Sequence, residues 1–276
     1  MSENAQVDLP VVVTTISDRI ATVTLNRPNA RNAINQQLGR ELRFAMATAE
    51  ADSDVDVVVL TGSDPAFCAG IDLKELGSTG RTGVFDRDDS GDVPLPGRES
   101  GLTPRTPWAT MSKPVIGAIN GVAITGGFEL VLQCDFLVAS ERAAFGDTHA
   151  RVGVLPGWGL SVLLPQAIGY RRAVEMSMTG NFMLADEALK LGLVNHVVAH
   201  QDLLPYTYEL CSAIVGNNTP AIRALLASYK MIHTMTVAEG LRHETQVNKE
   251  YGATFKASEV AARREAIRDR GRTQLS

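Results

Sequence analysis

The sequence is poor in cysteine and in aromatic residues. Its 276 residues include three cysteines, Cys68, Cys134 and Cys211, and only 5% are Phe, Trp or Tyr. An odd number of cysteines at unrelated spacings argues against a disulfide framework and against a zinc site built on cysteine. We therefore expect free thiols in a reducing compartment and no bound metal.

The sequence also lacks an excess of positive charge and any long apolar run. Lys and Arg total 26 against 31 Asp and Glu, a formal net charge of −5. Bulk charge therefore does not favour a nucleic acid or an anionic membrane as partner, and local basic residues would have to hold an anionic ligand. The first residues are polar, and no apolar run approaches the roughly 18 residues of a membrane span. We expect a cytoplasmic protein.

What the sequence does contain is an alternation of strand-like and helix-like segments. Apolar β-type runs predict strands at Ile20–Leu25, Asp56–Thr61, Pro114–Ile119, Phe136–Ser140 and Val194–Val198. Amphipathic periodicity predicts helices at Gln36–Ala51, Ser161–Ile168, Arg171–Thr179 and Ala185–Leu191. The order is typical of an α/β fold, and periodicity alone would also fit a doubly wound sheet.

Two regions depart from this alternation. Residues 77–107 are rich in Gly, Pro, Asp, Arg and Ser, which predicts a long loop that is either a lid on the substrate side or simply mobile. Residues 203–270 are almost entirely compatible with helix. We expect a core of residues 1–202 that carries the loop, followed by a helical region of residues 203–276.

Two glycine-containing turns are the most informative segments. Ala66–Leu76 follows one predicted strand, and Val115–Glu129 runs a second strand into Gly126, Gly127 and the acid Glu129. In each segment the glycine lets a ligand approach backbone N–H groups where a helical pattern begins. Two such turns can direct two donors at one oxygen, as in an oxyanion hole for a thioester enolate.

The two turns, preceded by Leu25–Ile34, resemble the signatures of the crotonase superfamily of enoyl-CoA hydratases and isomerases. The resemblance covers about Val12–Val198. It implies a crotonase-like spiral of ββα units with a C-terminal helical oligomerisation region, and a homotrimer or a hexamer of two trimers. It also implies an acyl-CoA substrate and no cofactor beyond that CoA thioester.

Within the superfamily the chain most resembles an enoyl-CoA hydratase, a lyase of fatty-acid metabolism that converts 2-trans-enoyl-CoA to 3-hydroxyacyl-CoA. The motif then assigns the oxyanion-hole donors to the backbone N–H groups of Ile71 and Gly126, and the first catalytic glutamate to Glu129. Its substrate-binding and CoA-binding positions fall on Arg31, Ala69, Gly70, Asp72, Lys74, Gly127 and Trp158. Without the resemblance, the same residues would be tight turns, a salt-bridged core acid, solvated surface charges and a core aromatic.

The second catalytic position departs from the hydratase pattern. Between Phe145 and Gly157 the place of the second glutamate is taken by His149. A histidine with an ordinary pKa near ~6.5 can donate or accept a proton at neutral pH, so it could replace the glutamate. The pH dependence of activity would then contain a limb between about pH 5 and pH 8. The alternative is a hydrogen-bonded residue at a strand end, beside Asp147 and Arg151.

Two other functions remain open at this point. One is another crotonase reaction, such as isomerisation, hydrolysis or carbon–carbon cleavage, which needs only the oxyanion hole and one acid or base. The other is a noncatalytic acyl-CoA-binding homologue that has kept the pocket and lost the chemistry.

Overall fold

The computed structural model describes residues 10–79, 106–254 and 256–275. They form two compact units, divided between Asn217 and Asn218. The sequence predicts a boundary after residue 202, whereas the structure assigns the next helix, Leu203–Val215, to the first unit, where it packs on three strands. Most of the predicted 77–107 loop lies outside the described residues, and its first residues, 77–79, end a helix that begins at Leu73.

Strands and helices alternate through the first unit as the sequence predicts. The strands are β1 (Val12–Ser17), β2 (Ile20–Leu25), β3 (Val57–Gly62), β4 (Ala66–Cys68), β5 (Val115–Ile119), β6 (Val122–Ile124), β7 (Phe136–Ser140), β8 (Ala144–Gly146), β9 (Met183–Leu184) and β10 (His196–Val198). The helices are α1 (Gln36–Ala51), α2 (Leu73–Thr79), α3 (Gly126–Leu132), α4 (His149–Val152), α5 (Leu160–Ile168), α6 (Tyr170–Thr179), α7 (Ala185–Leu191) and α8 (Leu203–Val215). All predicted strands and helices before residue 200 are confirmed, each to within two residues at either end.

A six-stranded sheet in the order β1-β2-β3-β5-β7-β10 forms the centre of this unit. Every neighbouring pair is parallel except β1 and β2. The central strand β3 is buried along its whole length, as expected for a parallel strand covered on both faces. Val57 and Val59 face a cluster that includes Cys211 of α8, while Val58 and Leu60 face the larger core on the other side.

A second, four-stranded sheet in the order β4-β6-β8-β9 positions the turns of interest. Three times the chain passes from the large sheet to the small sheet and then into a helix, as β3-β4-α2, β5-β6-α3 and β7-β8-α4. These repeats are the ββα units of the crotonase-like spiral. Because β4, β6 and β8 are mutually parallel, the turns that follow them meet at one edge of the small sheet.

The second unit consists of helices in its described residues, as predicted: α9 (Thr219–Ile232), α10 (Val237–Gly252) and α11 (Ala257–Leu275). The sequence predicts a cap at Thr219-Pro220, but the side chain that caps α9 is Asn218, which accepts from the Ala221 N–H at 2.9 Å. Thr236 caps α10 in a reciprocal capping box with Glu239. Among the described helices of both units, none is long and apolar enough to cross a membrane.

Candidate active site

The two glycine turns pack directly against each other. Gly70 has φ +83°, and a Cβ added there would lie 2.5 Å from the Thr125 hydroxyl oxygen of the second turn. A Cβ added to Gly127 would lie 2.3 Å from the carbonyl oxygen of Cys68 in the first turn. Both positions therefore require glycine, and any side chain there would push the two turns apart.

This packing brings together the two predicted oxyanion-hole residues. A Cβ added to Gly126 would lie 3.8 Å from Cγ1 of Ile71. Ile34 bonds to the residues on either side of Ile71, since its N–H donates to the Gly70 carbonyl and its carbonyl accepts from the Asp72 N–H. Within the described part of the chain, the N–H groups of Ile71 and Gly126 have no hydrogen-bond acceptor. They are thus available to a ligand, and their role as an oxyanion hole stays a prediction.

Thr125, which precedes Gly126, has an unusual backbone conformation. Its φ of 52° with ψ of −121° is costly for a residue with a branched side chain. The Thr125 N–H donates to the Gly146 carbonyl at 3.0 Å, and its hydroxyl lies 3.2 Å from that of Thr148. The strained Thr125 is therefore held by the last residue of β8 and by the turn that follows it, and its conformation sets the direction of the Gly126 N–H.

Glu129 lies in the first turn of α3 and is 3% exposed. Its Oε1 accepts from three backbone N–H groups, those of Gly157 at 3.0 Å, Trp158 at 2.6 Å and Leu160 at 3.4 Å. Its Oε2 lies 3.5 Å from Nε2 of His149. The two oxygens differ in function, because Oε1 is committed to the backbone while Oε2 faces the neighbouring ring.

His149 is the first residue of α4 and is 2% exposed, so it begins a helix and does not end a strand. Its Nδ1 lies 2.6 Å from Oδ1 of Asp147, which places a carboxylate at each ring nitrogen. Burial lowers the pKa of His149, but the hydrogen bonds and charges of Asp147 and Glu129 outweigh burial and raise the pKa to about 9. The ring is therefore an imidazolium at neutral pH, and the expected range of 5 to 8 for its titration is too low.

Asp147 is a site residue that the sequence did not single out. Burial raises the pKa of its carboxyl, but hydrogen bonds from His149 and from Ser177 of α6 lower the pKa below its usual range overall. The Asp147 carboxylate is therefore ionised beside the imidazolium. Its position two residues before His149 was the available signal, because an aspartate commonly bonds to the backbone two residues further on.

The predicted CoA-binding residues have different surroundings. Arg31 and Lys74 are exposed near the first turn, and the Arg31 carbonyl accepts from the Ala69 N–H at 2.9 Å. Asp72 is occupied within the protein, because it pairs with Arg27 at 3.0 Å and caps α2 by accepting from the Lys74 N–H. Burial raises the pKa of Asp72, but the hydrogen bond from Arg27 and those from the α2 backbone lower it overall. A CoA-binding role for these residues stays a prediction.

Trp158 closes the site on the side of Gly126. A Cβ added to Gly126 would lie 3.5 Å from Cζ3 of the Trp158 ring. The Trp158 carbonyl accepts from the Gln133 side chain at 2.8 Å, and its N–H donates to Glu129. The backbone of Trp158 is thus fixed, and its ring lies beside the predicted oxyanion hole. In the described ranges, no group of three or more His, Cys, Asp or Glu side chains is arranged to hold a metal ion.

Comparison with known proteins gives consistent matches. A family model described as enoyl-CoA hydratase/isomerase matches residues 15–265. An Arabidopsis thaliana protein named "Probable enoyl-CoA hydratase 1, peroxisomal" is 44% identical over 201 residues, which is 73% of this chain and 71% of the relative. A short-chain-enoyl-CoA hydratase of Clostridium acetobutylicum is 34% identical over 74% of this chain and 75% of its own. The crystal structure of an enoyl-CoA hydratase from Mycobacterium tuberculosis is 48% identical, with a TM-score of 0.71 over 88% of this chain and 99% of that chain.

Proposed function

The chain belongs to the enoyl-CoA hydratase/isomerase family, and from this premise we propose that it hydrates 2-trans-enoyl-CoA to 3-hydroxyacyl-CoA, as a lyase of fatty-acid metabolism. The observation that carries the proposal is the pairing of a carboxylate with an imidazolium beside two N–H groups that are free to bind a ligand. Glu129 and His149 are buried and their facing atoms are 3.5 Å apart. Hydration needs two such groups, one to take a proton from water and one to give a proton to carbon.

The N–H groups of Ile71 and Gly126 form the oxyanion hole. They bind the thioester carbonyl oxygen and stabilise the negative charge that develops there as the enolate forms. Losing one donor of this kind typically costs about 10²–10³ in rate. Trp158, whose ring lies beside Gly126, forms a wall of the acyl site.

The charge states of the two side chains assign their roles. His149 is an imidazolium at neutral pH and cannot act as the base, so Oε2 of Glu129 takes the proton from water as the water oxygen bonds to C3. Nε2 of His149 then gives its proton to C2 as the enolate collapses. The proton on Glu129 returns to His149 across the 3.5 Å gap, so the enzyme is restored and one water has been added.

The remaining assignments complete the proposal. Arg31 and Lys74 hold the CoA phosphates, while Asp72 holds the start of α2, which carries Lys74. The reaction uses no cofactor beyond the CoA thioester. The enzyme is a cytoplasmic homotrimer or hexamer, assembled through its C-terminal helices.

A comparison of two glutamate variants tests the proposal. Glu129→Gln removes the base but keeps an acceptor for the backbone N–H groups, so crotonyl-CoA hydration should fall by about 10²-fold or more while affinity for the CoA ester changes only several-fold. Glu141→Gln, at an exposed position after β7, is the matched control and should leave turnover unchanged. Wild-type turnover in Glu129→Gln would remove Glu129 from the mechanism.

An acyl-CoA panel in deuterated water separates hydration from the other functions. Hydration predicts turnover of crotonyl-CoA with deuterium incorporated at the α-carbon. Deuterium exchange without hydration would indicate another crotonase reaction, and binding without exchange would indicate a noncatalytic acyl-CoA-binding protein. Either of these results would contradict the proposed function.

A further inference from the structure

Asp147 lies on the opposite side of the His149 ring from Glu129. We propose that Asp147 is a positioning residue of this active site, which retains the proton on Nδ1 of His149 and directs Nε2 towards Glu129 and the substrate. The inference rests on the proposed function, and it adds a third buried residue to the two that the hydratase motif provides.

The first support is the way Asp147 binds His149. Its Oδ1 accepts from both the ring Nδ1 at 2.6 Å and the backbone N–H of His149 at 3.1 Å. One oxygen thus fixes the backbone and the ring of the same residue, which leaves the ring little freedom to rotate. The contact is also short for a bond between nitrogen and oxygen, as expected for a charged pair shielded from water.

The second support is that Asp147 is itself held on two sides. It follows directly after β8, whose pairing with β6 and β9 fixes its backbone. Ser177 of α6, a helix that packs on α4, lies near its carboxylate and lowers the pKa of that carboxyl. These contacts fix the direction of the carboxylate, and with it the direction of the His149 ring.

The carboxylates of Glu129 and Asp147 are the charged groups that contact the His149 ring, whereas the charged side chains on α4 and α6 are exposed. Glu129 faces the ring from α3, and Asp147 faces it from the end of β8. On α4 itself, Arg151 is exposed and donates to the Thr179 carbonyl at 2.9 Å. The charged residues of α6 are also exposed: Arg171, Arg172 and Glu175.

The consequence concerns the state of the ring after it has given up its proton. When Nε2 protonates C2, the neutral ring keeps its remaining proton on Nδ1, because that proton is bonded to Asp147. Nε2 is then the only nitrogen able to accept the proton that Glu129 holds. Without Asp147 the ring can adopt the other tautomer or turn, and the return of the proton fails.

The test compares two aspartate variants. Asp147→Asn removes the charge at His149, whereas Asp64→Asn makes the same change at a second aspartate–histidine contact, in which Asp64 lies 3.0 Å from Nε2 of His200. In Asp147→Asn we expect kcat for crotonyl-CoA to fall at least about tenfold at pH 8, KM to change only a few-fold, and the alkaline limb of kcat to move down by about one pH unit or more. Asp64→Asn should leave all three unchanged.

Nitrogen NMR of the His149 ring provides a readout that does not require activity. In the wild-type protein the Nδ1 proton should persist through pH 8, and in Asp147→Asn it should be lost at lower pH. An unchanged titration and an unchanged kcat profile in Asp147→Asn would overturn the inference. If that variant fails to fold, loss of the Nδ1 proton below pH 8 in the wild-type protein would overturn it instead.

The two proposals fail in distinguishable ways. If the wild-type protein hydrates no enoyl-CoA, the proposed function fails, while the NMR comparison of Asp147→Asn with Asp64→Asn still decides whether Asp147 controls the ring. If hydration is robust and Asp147→Asn behaves as Asp64→Asn does, only the role of Asp147 is lost.

Discussion

Two aspartate–histidine contacts in the first unit use the same residue types for different purposes. Asp147 and His149 lie 2.6 Å apart in the buried site, and Asp64 and His200 lie 3.0 Å apart near the surface. The side chain of Asp147 is 3% exposed, and that of Asp64 is 63% exposed. The short contact is therefore shielded from water, while the longer one is screened by it and contributes little to stability.

The second ring nitrogen distinguishes the two histidines chemically. In His149 it faces the carboxylate of Glu129, which can take up a proton and return it. In His200 it lies 3.0 Å from the hydroxyl of Ser140, which is fully buried and also accepts from the Arg142 N–H. The difference is that the second partner of His149 is a carboxylate, which the proposed mechanism uses to receive and return a proton, whereas the second partner of His200 is a hydroxyl.

Replacing each histidine by alanine should give the largest contrast. His149→Ala removes the proton donor, so kcat for crotonyl-CoA should fall by about 10²–10⁴-fold, as for the loss of a general acid. His200→Ala should stay within several-fold of the wild-type value. Steady-state kinetics on the two purified variants decides this, and equal losses would mean that the contrast between the pairs is false.

The pH dependence of kcat should also distinguish the two aspartate–histidine pairs. With the pKa of His149 raised to about 9, the donor is protonated below that value, so kcat should fall about tenfold per unit as the pH rises past 9. His200→Ala should keep this limb. His149→Glu should remove it and still hydrate crotonyl-CoA, because it restores two carboxylates. If kcat still falls above pH 9 in His149→Glu, the group that titrates there is not His149.

Stability should depend on pH through the buried pair. The folded protein raises the pKa of His149 from its ordinary value near 6.5 to about 9. The resulting stabilisation is fully present below pH 6.5 and is lost as the pH rises through 9, by on the order of 1–3 kcal/mol. Urea unfolding at a series of pH values measures this loss. The loss of stability at high pH should be absent in His149→Gln and should remain in His200→Gln.

Replacing the serine near each pair should have the smallest effects. The change at Ser177 should lower turnover, and the change at Ser140 should lower stability. Ser177→Ala removes the hydroxyl near Asp147 that lowers the pKa of its carboxyl, so kcat should fall only a few-fold. Ser140→Ala removes a buried hydroxyl from the second pair, so it should lower the free energy of unfolding by about 1 kcal/mol and leave kcat unchanged. If Ser140→Ala lowered kcat more than Ser177→Ala, the assignment of the two pairs would be reversed.

The sequence predicted five of the six strands of the large sheet and the longer helices around it, because most of these segments are long enough to show a period, but it did not predict β1. Gln36–Ala51 and Ala185–Leu191 were predicted to the residue. The strands β4, β6 and β8 of the small sheet have three residues each, too short for an alternation to be visible, and they were not predicted. Those strands nonetheless align the turns that form the site.

Within the site, the sequence predicted which residues meet but not how they share their bonds. Glu129 and His149 were predicted from the motif, and the structure brings them together. The titration range of His149 was wrong, because the sequence cannot reveal that two carboxylates face one buried ring. The role of Oε1 of Glu129 was also missed, since its donors lie 28 to 31 residues further along the chain.

The two oxygens of Glu129 have different contacts, and this has a consequence for how the site tolerates substitution. Oε1 holds the Gly157–Leu160 turn through backbone N–H groups, which no substitution at position 149 removes. A substitution of residue 149 therefore alters the proton chemistry while the hydrogen bonds that hold this turn persist. The reaction can change at this position with part of the scaffold kept, although the stability that the charged His149 ring contributes is given up.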